Sequence, residues 1–98
     1  MTLLPVGSVV YLAEGNQKMI VLSRGQIVDQ KGEEVFFDYC LGIYPEGLSP
    51  EQVYYCNADD IDEVLFEGYA DDDEKRFVEL YEKWVLENAS SLKRGVAK

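Results

Sequence analysis

The short joins between apolar runs constrain this chain most. Four runs stand in its first 57 residues: Ser8–Ala13 (SVVYLA), Lys18–Ser23 (KMIVLS), Glu33–Cys40 (EEVFFDYC) and Gln52–Asn57 (QVYYCN). Each is rich in the β-branched and aromatic residues that suit a pleated surface. The segments Glu14–Asn16 (EGN), Asp29–Gly32 (DQKG) and Tyr44–Pro50 (YPEGLSP) carry turn or loop signals. None can hold the crossover that a parallel pair requires, so the runs are expected to form an antiparallel meander of about four strands over residues 8–56. Gly25, inside "SRGQIV", is expected to mark a bulge in one long second strand.

Beyond Asn57 the period changes. Ile61, Val64 and Leu65 stand at i, i+3 and i+4, with Asn57 or Asp59 as N-cap and Gly68 at the C′ position. This spacing predicts a short helix over residues 59–67. Asp71 and Glu74 have capping-box spacing, and Phe77, Leu80, Tyr81 and Trp84 continue on one stripe. A longer C-terminal helix over residues 71–90 follows from that pattern. The tail "KRGVAK" is expected to fray over residues 93–98, leaving one α+β domain at 1–92. Phe36, Tyr39, Phe77 and Trp84 fall at core positions, whereas neighbours such as Phe36–Phe37 and Tyr54–Tyr55 point to opposite sheet faces.

Charge then narrows the function classes. The net charge is −10, and residues 46–98 hold fourteen acids against six bases. Such a chain repels phosphate backbones and anionic lipid, so neither nucleic acid nor membrane is expected as a partner. From Asp59 to Glu74 there are nine carboxylates and no cation. Acids at two helix starts, stabilised by the macrodipole, account for that density. No basic leader precedes the apolar start and no apolar run approaches ~20 residues, so a cytoplasmic location is expected. Cys40 and Cys56 are then expected as free buried thiols.

Catalytic and metal chemistry find little to work with. The chain has no histidine. Two cysteines cannot make a four-thiolate zinc site, and neither Asp60 nor Asp71 starts a calcium loop with glycine at its sixth position. The cysteines lack a base, the serines lack an elbow context, and no glycine-rich loop leads to a lysine. No catalytic, cofactor or metal residue is assigned, and a non-enzymatic role is expected.

Four stretches carry a family resemblance. They are Leu4–Val10 (LPVGSVV), Phe37–Tyr39 (FDY), Tyr44–Gly47 (YPEG) and the block Asp60–Tyr69 (DIDEVLFEGY). Together they resemble the bacterial domain-of-unknown-function family 4176 of Gram-positive organisms. Tyr11 and Glu14 depart from the Leu and Lys/Gly-like residues of that pattern and make the front edge more acidic. The resemblance implies a small accessory protein encoded near type VII secretion and toxin loci. Its implied role is a chaperone or adaptor for a secretion substrate, with an immunity protein against a cognate toxin as the alternative. The family carries no agreed catalytic residues, so none transfers.

In that light the partner is another protein, and an open sheet edge could also pair with a second copy. Tyr44, Phe66 and Tyr69 are the expected anchors, with Asp60, Asp62 and Glu63 steering basic groups of the partner. The competing view has Phe66 and Tyr69 stapling the helices to the sheet.

Overall fold

The structure, a computed structural model, describes residues 3–97. The meander appears as four antiparallel strands: β1 (Val9–Leu12), β2 (Met19–Gln30), β3 (Glu33–Ile43) and β4 (Tyr54–Cys56). A 3₁₀ turn, Ala58–Asp60, leads into β5 (Ile61–Phe66), and then come α1 (Asp72–Asn88) and β6 (Lys93–Arg94). The strand order is β4-β3-β2-β1-β5, with β6 parallel to β3. The α+β class stands, with a larger sheet than expected and one α-helix among the described residues.

The connection from β4 to β5 dictates the shape of the sheet. In a flat sheet these strands would lie four spacings, about 19 Å, apart. The Asn57–Asp60 link spends three of its four residues in a 3₁₀ turn, which rises only ~2.0 Å per residue. The sheet must therefore curl to bring its two ends together. Val10, Val21, Tyr39, Leu41 and Cys56 are buried within the curl.

Residues 59–67 do not form the expected helix. Ile61, Glu63, Val64 and Phe66 face Leu12, Tyr11, Val10 and Val9 across β1, with register shifts at two places. Asp62 and Leu65 are the extra residues, so six residues of β5 oppose four of β1. Those bulges turn the strand's period of two into a run that mimics i, i+3, i+4. Gly68 is not a helix cap either. It lies where an added Cβ would meet the Val6 carbonyl oxygen at 2.3 Å, and its N–H donates to Ser8 Oγ at 3.0 Å.

The bulge in β2 lies at Leu22, not at Gly25. Leu22 is the extra residue between the pairs Val21↔Leu41 and Ser23↔Cys40, whereas Arg24↔Tyr39 and Gln26↔Phe37 keep one register across Gly25. Gly25 has φ +70, and a side chain there would strike the Tyr81 ring at 3.0 Å, so the glycine serves both the left-handed backbone and the close approach of α1.

The long helix starts as read, with Asp71 Oδ1 accepting from Glu74 N–H at 3.1 Å. The Glu74 side chain does not complete a capping box. It meets Arg24 of β2 in a two-pronged ion pair, both contacts at 2.7 Å. Arg24 also donates to Leu4 O at 2.7 Å and lies 4.5 Å from the Phe77 ring centroid. That guanidinium fastens the N-terminal arm, β2 and the start of α1 together. Of the residues read as core, Phe36 and Tyr39 are buried and Trp84 packs edge-on to Phe36. Phe77 remains part-exposed, stacked on Tyr81.

The tail is not frayed over residues 93–97. Val35 and Phe36 pair with Lys93 and Arg94, and Gly95 N–H donates to Phe36 O at 2.8 Å. Val96 exchanges two hydrogen bonds with the Gln30 side chain. Lys98 lies outside the described residues. This strap covers Phe37, so both Phe36 and Phe37 are buried although their sheet faces differ. Cys40 and Cys56 are buried and free.

Candidate functional site

Two features stand out, one polar and interior, one apolar and exposed. The interior feature is built around Asp38, a lone acid in the apolar run "VFFDYCL". Its Oδ1 accepts from the Tyr81 hydroxyl at 2.7 Å and from Arg94 Nη1, and its Oδ2 accepts from Ala58 N–H at 2.8 Å. Asn57 extends the network: Oδ1 accepts from Asp38 N–H, and Nδ2 donates to Gly95 O at 2.9 Å. One carboxylate thus joins β3, the 3₁₀ turn, α1 and β6.

Electrostatics follow from this geometry. Burial alone pushes the Asp38 carboxyl up, but donation from Arg94, Ala58 N–H and Tyr81 outweighs burial and holds it below the usual carboxylate range. Burial, and then the adjacent Asp38 carboxylate, push the Tyr81 hydroxyl up. Burial opposes the charge on Arg94, yet Asp38 raises it overall. A saturated carboxylate and a tyrosine held firmly protonated are poor partners for proton transfer near neutral pH. A cavity of about 530 Å³ opens beside this network, between α1 and the 3₁₀ turn.

The exposed feature runs along β5 and the loop after it. Phe66 is 62% exposed and Tyr69 82%, with Val64, Leu65 and Val6 also exposed. The staple reading of Phe66 and Tyr69 is therefore not what the structure shows, since neither ring is covered. Gly68, pressed against Val6–Ser8, fixes the path of the loop. Asp62 and Glu63 lie in β5 itself, and their side chains bond to no described residue.

Four of the six expected partner-binding residues, Asp62, Glu63, Phe66 and Tyr69, fall together on this edge. Asp60 lies beside them, but its carboxylate is occupied, accepting from Asn57 N–H at 2.8 Å. Tyr44 is exposed but stands at the end of β3, separated from β5 by β2 and β1. With two strands between them, Tyr44 does not join the patch.

The β5 edge is also a poor template for strand addition. Its two bulges and its acids are the devices by which natural edges resist pairing. A second copy laid against it would face like charge. Side chains, not open backbone, are what this edge presents. Sequence reading missed the Asp38 and Arg24 networks. An isolated Asp or Arg inside an apolar strand was the available signal, because a buried charge requires a partner. Among the described residues, no three Cys, Asp or Glu side chains converge to hold an ion, and no helix is long and apolar enough to cross a membrane.

Fold and surface together define a small α+β domain, a curled sheet braced by one helix among the described residues, with an exposed apolar edge that bears acids and a cavity beside the Asp38 network. Residues 3–77 match the family described as Domain of unknown function (DUF4176), and the chain belongs to that family. The matched span includes the sheet through β5 and the start of α1, with the Arg24–Glu74 pair; Tyr81 and Arg94 lie beyond it. No curated protein and no solved structure matches the chain.

Proposed function

We propose that this chain is a non-enzymatic binding module that docks another protein on the β5 edge. The observation that carries the reading is the run of exposed apolar side chains, Val64, Leu65 and Phe66 on a strand that also bears Asp62 and Glu63, with Tyr69 in the loop after it. Exposed aromatics of this kind mark protein contacts, and flanking acids select a basic partner. With the bulged edge closed to strand addition, the partner lays side chains onto the patch. On the resemblance described above, that partner is a type VII secretion substrate and the role is chaperone or adaptor. A cytoplasmic site of action goes with that role.

The test is co-purification with the products of neighbouring genes, using the intact chain and a Phe66→Ser/Tyr69→Ser variant. Both residues are exposed, so the variant is expected to fold with stability within ~0.5 kcal/mol of the parent and to lose the partner. The association rate of the parent should fall as salt rises. A partner retained equally by the variant would overturn this docking site. Capture of a toxin domain, with rescue of growth, would replace the chaperone role by the immunity role.

A further inference from the structure

The cavity beside the Asp38 network has walls that differ from its mouth. Val85 and Leu86 of α1, Leu3 of the N-terminal arm and Ala58 form an apolar lining. Leu86 is 79% exposed on a helix whose other outward positions are largely charged. Tyr81 also lines the cavity, but its hydroxyl is spent on Asp38. Asp38 offers nothing to a visitor, since both its oxygens are occupied. The same ion pair takes up the charge of Arg94. The other acids lining this cavity are Asp59 and Glu82, both exposed and bonded to no other described residue, with Asp59 also near enough to act on the Arg94 charge.

We propose that this cavity binds an amphipathic organic cation, with an apolar tail against Leu3, Ala58, Val85 and Leu86 and an ammonium group between Asp59 and Glu82. The volume, about 530 Å³, falls in the range of small-molecule sites. A neutral apolar ligand would crowd two carboxylates without compensating them. An anion would meet two unpaired acids and one arginine already paired. The overall charge of −10 adds a long-range attraction for cations alone. The inference is independent of the β5 docking patch, which uses none of these residues.

The probe is n-octylammonium, titrated into the full ¹⁵N-labelled chain, with octanoate and 1-octanol as matched controls. Saturable shifts are expected at Leu3, Ala58, Val85 and Leu86. From hexyl- to octylammonium, affinity should rise about fourfold per methylene, the factor equivalent to ~0.8 kcal/mol per buried CH₂. Asp59→Asn/Glu82→Gln should weaken octylammonium several-fold and bring its affinity down to that of 1-octanol. Leu86→Arg, at an exposed position, should block the mouth without harming the fold. Phe66→Ser/Tyr69→Ser should bind as the parent does. Absence of saturable shifts, octanoate binding as tightly as octylammonium, or shifts confined to β5 would each overturn the proposal.

Discussion

Removing the Asp38 carboxylate should cost a large share of this domain's stability. Asp38→Ala leaves the Tyr81 hydroxyl and Ala58 N–H without their acceptor. Each orphaned buried group costs about 1–3 kcal/mol. The Arg94 side chain is 43% exposed and can turn to water, so its share of the loss is at most ~1 kcal/mol. Taking mid-range values gives about 4 kcal/mol, against the ~5–15 kcal/mol typical of a folded domain. With a urea slope of ~1.5 kcal/mol/M, the unfolding midpoint should fall by about 2.5 M. Arg94→Ala, which leaves Asp38 with Tyr81 and Ala58, should move it far less. Asp38→Asn should lie between and also change the pH profile. The native carboxyl titrates below the ordinary value of 3.8. Its contribution is therefore complete above that value and is lost as pH falls through the native pKa. The gap between parent and Asp38→Asn should be widest near neutrality and should close on acidification below about pH 4. Urea titrations from pH 7 to pH 2, followed by circular dichroism, measure both effects. Equal losses for Asp38→Ala and Arg94→Ala, or an Asp38→Ala loss below ~1 kcal/mol, would refute the keystone role.

Gly95→Ala tests the strap. Its Cβ would lie 2.2 Å from the Phe37 ring, so ring or strap must move, with an expected loss of about 1–3 kcal/mol and faster amide exchange at Gly95 and Val96; unchanged exchange would mean the strap is not seated on Phe37. The two thiols should resist a disulfide reagent at pH 8 until the chain unfolds, because burial pushes Cys40 up and Cys56 up to about 12. Prompt reaction of either thiol in native protein would contradict that burial.

The legible parts of this fold are those whose information is local. β1, β2 and β3 were readable because their turn residues and apolar runs sit side by side. The bulge in β2 was not, because it falls at Leu22, an ordinary strand residue, while Gly25 answers instead to the Tyr81 ring of α1. Asp71 could be read as a cap because its partner is three residues away. β5 was misread for a definite physical reason. Two bulges inserted residues that the strand period cannot accommodate, and the result imitated a helix. β6 has two residues and no periodicity at all. Its place depends on an Asp38–Arg94 contact spanning 56 positions, just as α1 depends on an Arg24–Glu74 contact spanning 50.

The same nonlocal contacts decide what the surface can do. The curl of the sheet leaves two outer edges, and each offers little regular backbone. On the β3 side the outermost strands are β4, three residues, and β6, two residues, both short. On the β1 side, β5 supplies bulges and acids instead of regular backbone. A domain built this way resists joining its copies edge to edge. It can still leave Phe66 and Tyr69 in solvent, because α1 is drawn by Arg24 and Asp38 onto β2 and β3 and leaves β5 uncovered. The Arg24–Glu74 ion pair and the Tyr81–Asp38 hydrogen bond, which seat α1 on β2 and β3, are thus part of why the β5 edge stays exposed.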